Sequence, residues 1–108
     1  MNKVSVHYVV YNLDAPGTGD LREQYRDAHL EFMRELRSAG KAKIGGPFLS
    51  ADGKQRLGGM YILAATSLEE AINIANQDPF VKAGIYPSTQ VQPWIWQTGR
   101  PDSETESN

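Results

Sequence analysis

The chain has 108 residues, no cysteine, two histidines, and 11 Lys and Arg against 13 Asp and Glu, for a net charge of −2. That is the size of one ordinary domain, able to bury a core without a disulfide or a metal. The missing cysteines exclude disulfides, thiolate nucleophiles and Cys-based zinc or iron–sulfur sites, and two histidines argue against a multi-histidine metal centre. The acidic balance argues against nucleic acid, which needs a basic footprint, but leaves room for a small anionic ligand beside a local pair of arginines.

The chain starts directly on a strand pattern with no long apolar h-region, so no signal peptide is expected. No stretch approaches the length of a membrane span. A cytoplasmic location with no membrane partner is the expectation.

Residues 4 to 12 (VSVHYVVYN) form the first predicted strand. Val4, Val6, Tyr8 and Val10 share one face, and Ser5, His7, Val9 and Tyr11 the other. Both faces carry apolar or aromatic groups, as in a central strand covered on both sides. His7 reads as a partly buried strand residue. Leu13 to Gly19 is a loop by composition.

Asp20, with Glu23 three residues on, resembles a capping box opening a helix that runs to about Ala39, with Gly40 as its C′ residue. Its apolar stripe contains His29. Leu36 lies about 20° from His29, Tyr25 and Met33 about 40°, and Phe32 about 60°. Arg22 and Arg26 flank it. A helix selected only for burial would carry Leu or Ile there, and a titratable group beside two cations needs a partner or water. Two readings stand for His29: a satisfied structural histidine, or a functional one.

Residues 42 to 49 (AKIGGPFL) are the second strand. Gly45-Gly46-Pro47 is either a bulge near a sheet edge or a bare segment that lets a flat ligand approach. Asp52-Gly53 signals a hairpin into a third strand over 57 to 65. Ser67 and Glu70 make a second capping box for a helix ending near Asn76, with Leu68, Ala71, Ile72 and Ala75 inward. Asp78-Pro79 caps and starts another helical turn, ended by Gly84. Residues 88 to 97 form the last strand, and Pro93 marks an edge or bulge. The order β-α-β-β-α-β gives an α+β, ferredoxin-like domain over residues 1–98 with a four-stranded antiparallel sheet. Residues 99–108 read as a disordered polar tail. Two helices cover one sheet face, so the apolar residues of the other face call for a cover, most simply a second copy of the chain.

Arg26-x-x-His29, Gly46-Pro47, and Asp78-Pro79-Phe80 followed by Gly84-Ile85-Tyr86, in that order, resemble the YciI-like (YCII-related) family over roughly residues 4 to 96. Asp14 also falls where that family often has Asp. The resemblance implies a dimeric α+β barrel in which two ferredoxin-like sheets pack face to face. It further implies a His–Asp active site, and the reaction associated with the group is dehydrochlorination of a chlorinated hydroxyhydroquinone. By motif, His29 is the expected acid/base and Asp78 its partner. Arg26, Asp14, Gly46, Pro47, Phe80 and Tyr86 are expected around a small-molecule ligand. The chain departs from typical members in its longer N-terminal lead and its acidic tail.

Chemically the pair is suited to proton transfer. Histidine exchanges protons near neutral pH, and a carboxylate on one ring nitrogen leaves the other for substrate. Arg26 suits a phenolate, carboxylate or developing enolate. With no metal set or cofactor motif, the expected activity is a cofactor-free lyase or isomerase. It would act by HX elimination or isomerisation on a small aromatic or lactone-like metabolite. The alternative is a non-catalytic small-ligand-binding or accessory module on the same scaffold. For Asp78 the cap alone is the competing reading.

Overall fold

The computed structural model describes residues 5–104. The proposed start of the first strand at Val4 and the last four residues of the tail lie outside them. The elements are β1 (His7–Leu13), α1 (Gly19–Ser38), β2 (Ala42–Leu49), β3 (Arg56–Leu63), α2 (Leu68–Ala75), α3 (Pro79–Lys82) and β4 (Thr89–Trp94), followed by a 3₁₀ turn at Asp102–Glu104. The sheet order is β2-β3-β1-β4, antiparallel throughout, so the α+β ferredoxin-like arrangement holds and β1 is interior. Among the described residues, no helix is long and apolar enough to cross a membrane.

Register assigns the faces. Val10 pairs with both Tyr61 and Val91, and Ala42 with Leu63. Tyr8, Val10, Ala42, Tyr61 and Leu63 pack with Leu36 of α1 and with Ala71 and Ala75 of α2 as one buried core. Phe32, Met33 and Ile74 close it from the helix side. Expectation and structure differ on α2. Leu68 and Ile72 are 41% and 39% exposed, and Ile74 faces the core instead. Two alanines on the inner face let α2 lie close to the sheet, and that rotation turns Leu68 and Ile72 outward.

The helix ends also divide. Ser67 accepts from the Glu70 N–H at 3.0 Å, and Glu70 reaches back to the Thr66 N–H at 3.0 Å, so the second capping box forms around the N-terminus of α2. The first does not. The N-cap of α1 is Thr18, with no side-chain cap bond, and its hydroxyl donates to the Ala15 carbonyl at 2.7 Å. Asp20 falls inside the first turn, where its charge still favours the helix dipole. At the other end Gly40 and Lys41 donate to Arg37 and Leu36 carbonyls in a Schellman arrangement.

β2 is an edge strand, and Pro93 lies in the opposite edge strand, β4. The outer face exposes Tyr11, Leu13 and Ile44 at 41%, 48% and 51%. One end of that face is covered by the chain after β4. Trp96 packs edge-on to His7, and Glu104 bonds His7 Nε2 at 3.1 Å and Lys43 Nζ at 2.8 Å. Residues 102–104 thus form a turn that Glu104 ties to the sheet. One carboxylate with two cationic or protonatable partners fastens a segment that has no apolar pattern of its own. The Lys43 and His7 contacts hold the Glu104 carboxyl below its ordinary value.

Adjacent glycines of β2 do different work. A Cβ on Gly45 would lie 2.7 Å from the Tyr61 Cβ, whereas one on Gly46 would meet nothing within 4 Å. Gly45→Ala should therefore cost about 1–3 kcal/mol through overpacking, and Gly46→Ala should stay within about 0.5 kcal/mol of the parent. Urea unfolding of the two variants measures both. Equal stabilities would contradict the packing described.

A candidate active site between the first helix and the edge of the sheet

α1 carries Arg22, Arg26, His29, Met33 and Arg37 at spacings of four, three, four and four, which places them on one stripe of the helix. All five line a cavity of about 610 Å³ whose other wall is β2 and β3. The edge position of β2 and its glycines leave that wall low. Gly45, Gly46, Pro47, Gly58 and Gly59 border the space, and Asp78, Phe80 and Tyr86 close one end.

His29 sits between two apolar clusters. Phe32, Met33 and Leu36 belong to the main core, while Tyr25 packs on a second cluster of Phe80, Ile85 and Tyr86. The His29 and Phe80 rings are stacked, with centroids 4.1 Å apart and planes 4° from parallel. Phe80 is 1% exposed, so the imidazole lies against a fixed surface. His29 Nδ1 is 2.8 Å from Asp78 Oδ1. The same oxygen accepts the Phe80 N–H at 2.9 Å. An oxygen that accepts the backbone N–H faces the ring as an acceptor too, which assigns the Nδ1 proton to His29 and leaves Nε2 for a molecule in the cavity. The two readings of Asp78, helix cap and histidine partner, are both true of its geometry.

Arg22 is a residue that sequence reasoning left as a mere flank. Its Nε donates to Asp14 Oδ2 at 2.8 Å and its Nη2 to Asp14 Oδ1 at 3.2 Å. Its guanidinium carbon lies 4.8 Å from the Phe80 ring centroid. Burial opposes the charge, but the Asp14 carboxylate outweighs it and raises the guanidinium above its ordinary value. Asp14 is thus placed differently from expectation. It does not line the cavity. Its carboxylate is taken by Arg22, and its loop is pinned where Asp14 N donates to Leu57 O and Ala15 N to Ile85 O. The spacing signal was present: Arg22 lies on the His29 stripe, one turn before Arg26.

Arg26, Gly46, Pro47, Phe80 and Tyr86 all border the cavity with His29 and Asp78. Tyr86 packs edge-on to Phe80 at 6.0 Å. Burial, then the Asp78 charge, push the Tyr86 phenol far above its ordinary value. Tyr61 is raised for the same two reasons in the same order, so both phenols stay protonated donors. The Tyr61 hydroxyl and Asn12 Oδ1 are buried without a partner among the described residues, on the sheet wall of the cavity. Neither was singled out from sequence, where a Tyr or Asn on a strand carries no signal of its own. Among the described residues, no group of three or more His, Asp or Glu is placed to hold a metal ion.

Residues 6–95 match the family model described as the YCII-related domain. The chain is 32% identical over 92 residues to the protein YciI of Escherichia coli, covering 81% of this chain and 94% of that one. It is 29% identical over 94 residues to an uncharacterised protein of Haemophilus influenzae, covering 82% and 96%. Among solved structures it is similar to the 5-chloro-2-hydroxyhydroquinone dehydrochlorinase TftG of Burkholderia phenoliruptrix, seen in complex with 2,5-dihydroxybenzoquinone. That likeness has a TM-score of 0.76 and 31% identity, and covers 88% of this chain and 99% of that one.

The double acceptor at Asp78 yields a paired prediction. Asp78→Ala removes the cap and leaves the buried side of His29 unpaired, and should cost about 1–3 kcal/mol. Asp78→Asn keeps an acceptor oxygen for both N–H groups and should retain most of the stability. Denaturant unfolding of the two variants side by side checks this; an Asn variant as unstable as the Ala variant would contradict it.

Proposed function

The chain belongs to the YCII-related domain family, and from that premise we propose that it is a cofactor-free lyase or isomerase in which His29 moves protons on a small ring. The observation that carries this is the 2.8 Å His29–Asp78 contact at the end of the cavity. The similarity to a dehydrochlorinase supports the lyase class.

The chemistry follows from the ring nitrogens. Asp78 holds Nδ1–H, so Nε2 is the atom that exchanges protons with the ligand. In an elimination, a hydroxyl proton passes through Nε2 to the ring carbon bearing the halide. That carbon, now tetrahedral, loses halide as a second hydroxyl loses its proton, and HX leaves in sum. In an isomerisation, Nε2 takes a proton from one carbon and returns it to another. Either course puts negative charge on a ring oxygen, and Arg26 is the cation proposed to meet it. The Phe80 stack holds the imidazole plane so that no reorientation is needed during transfer.

Chloride release from 5-chloro-2-hydroxyhydroquinone and ultraviolet monitoring of muconolactone cover the two reaction types. Turnover of either should fall by about 10²–10⁴-fold in His29→Ala while the fold is retained. Turnover that persists in that variant, or none of either ring with the parent protein at micromolar concentration, would overturn the proposal and favour a binding module.

We also propose that two copies pair through their outer sheet faces. The support is the exposure of Tyr11, Leu13 and Ile44, with Tyr11 against Phe48 at 5.2 Å, on a face that the helices leave bare. Sedimentation at micromolar concentration should give twice the 12.0 kDa chain mass, and Tyr11→Glu should return it to one. A parent protein that sediments as a monomer removes this proposal.

A further inference from the structure

The cavity wall is strongly cationic for an acidic chain. Arg22, Arg26, Arg34, Arg37, Lys43 and Arg56 border it against one carboxylate, Asp78, although the whole chain carries a net charge of −2. Three of the six cations are neutralised locally: Arg22 by Asp14, Arg34 by Glu31 and Lys43 by Glu104. Arg37 is tied by hydrogen bonds to the Ala42 and Lys43 carbonyls, which satisfy donors without cancelling charge. Asp78 offsets one more positive charge, so two remain in surplus. Arg26 and Arg56 have no partner among the described residues. They rise from opposite walls, Arg26 from α1 and Arg56 from the first residue of β3.

We propose that Arg26 and Arg56 form a two-sided clamp for a carboxylate, and that the cavity takes a ring acid. The ring would lie toward His29 and its carboxylate at the mouth. This rests on the reading of the cavity as a small-ring site, and goes beyond it by naming the charged group of the ligand and a residue, Arg56, that no motif singled out. Two physical points favour a carboxylate. The planar guanidinium fork matches its two oxygens. A carboxylate cancels only one of the two surplus charges, so the Arg26 side of the clamp, one helical turn from His29, still favours the charge that develops on the ring during proton transfer. A neutral phenol would leave both guanidinia uncompensated. A phosphate ester would consume both before any reaction began.

The test compares 4-hydroxybenzoate with 4-hydroxybenzamide, which share ring, hydroxyl and shape and differ in charge. Isothermal titration at 20 mM salt should show the acid binding at least tenfold more tightly than the amide. Arg56→Gln and Arg26→Gln should each cut that preference to threefold or less. Raising salt to 500 mM should erode the preference, because both guanidinia are exposed. Equal affinities for the two probes, no binding of the acid at millimolar concentration, or a preference unaltered by Arg56→Gln would each overturn the clamp. Displacement of the acid by inorganic phosphate at equal or lower concentration would overturn the carboxylate assignment in favour of a phosphate ester. A clamp that holds with no His29-dependent turnover anywhere would sink the catalytic proposal and leave this one standing. Turnover that depends on His29 but ignores ligand charge would do the reverse.

Discussion

One buried oxygen organises the candidate site. Asp78 Oδ1 accepts the N–H of Phe80 and the Nδ1–H of His29, and Asp78 is 1% exposed. A carboxylate taken that far from water is stable only if its hydrogen bonds are made. The two it has come from different parts of the chain, one local and one 49 residues away. The turn at Asp78-Pro79 is thereby joined to the middle of α1. Because Phe80 follows that turn, the cap that starts α3 also delivers the ring on which His29 stacks. Local helix chemistry and site geometry share one atom.

A second constraint is the close approach of β2 to its neighbour. Gly45 lies opposite Tyr61 with no room for a Cβ. Gly58, at φ 148°, has its Cα so near β1 that a Cβ would lie 2.1 Å from the Asn12 carbonyl oxygen. Both are positions where only glycine lets the backbones pack. Flat, side-chain-poor strands on one side and a long cationic helix on the other leave a space between them. The fold thus makes a cavity from ordinary requirements of strand pairing.

The charges around that cavity are layered. Arg22 is locked by Asp14 and carried over the Phe80 ring, so it steadies the aromatic floor under His29. Arg37 ties the C-terminal end of α1 to the carbonyls of β2. Cations at the two ends of the helix stripe thus serve structure, and Arg26, between Arg22 and His29, stays open to the cavity. Structural pairing of some arginines and the openness of others cannot be told from their spacing, because all lie on the same helical face.

Periodicity and turn chemistry alone determined the element order, the ferredoxin-like class, the Ser67 capping box, the Asp78-Pro79 cap and the inward position of His29. These are short-range facts, fixed by residues within a few positions of one another. Tertiary structure decided what depends on the partner's place in space. It gave Asp14 to Arg22 rather than to the cavity, and turned Ile72 out and Ile74 in. It fastened Glu104 to Lys43 and His7, and left Tyr61 and Asn12 with buried polar atoms on the cavity wall. It also set the second donor at Asp78 in place: the motif resemblance implied the His29 pairing, but a cap is written in adjacent residues and a histidine across the fold is not. A hydrogen bond between residues far apart in sequence has no local pattern, so periodicity and turn chemistry do not show it, and packing is what brings the two side chains together.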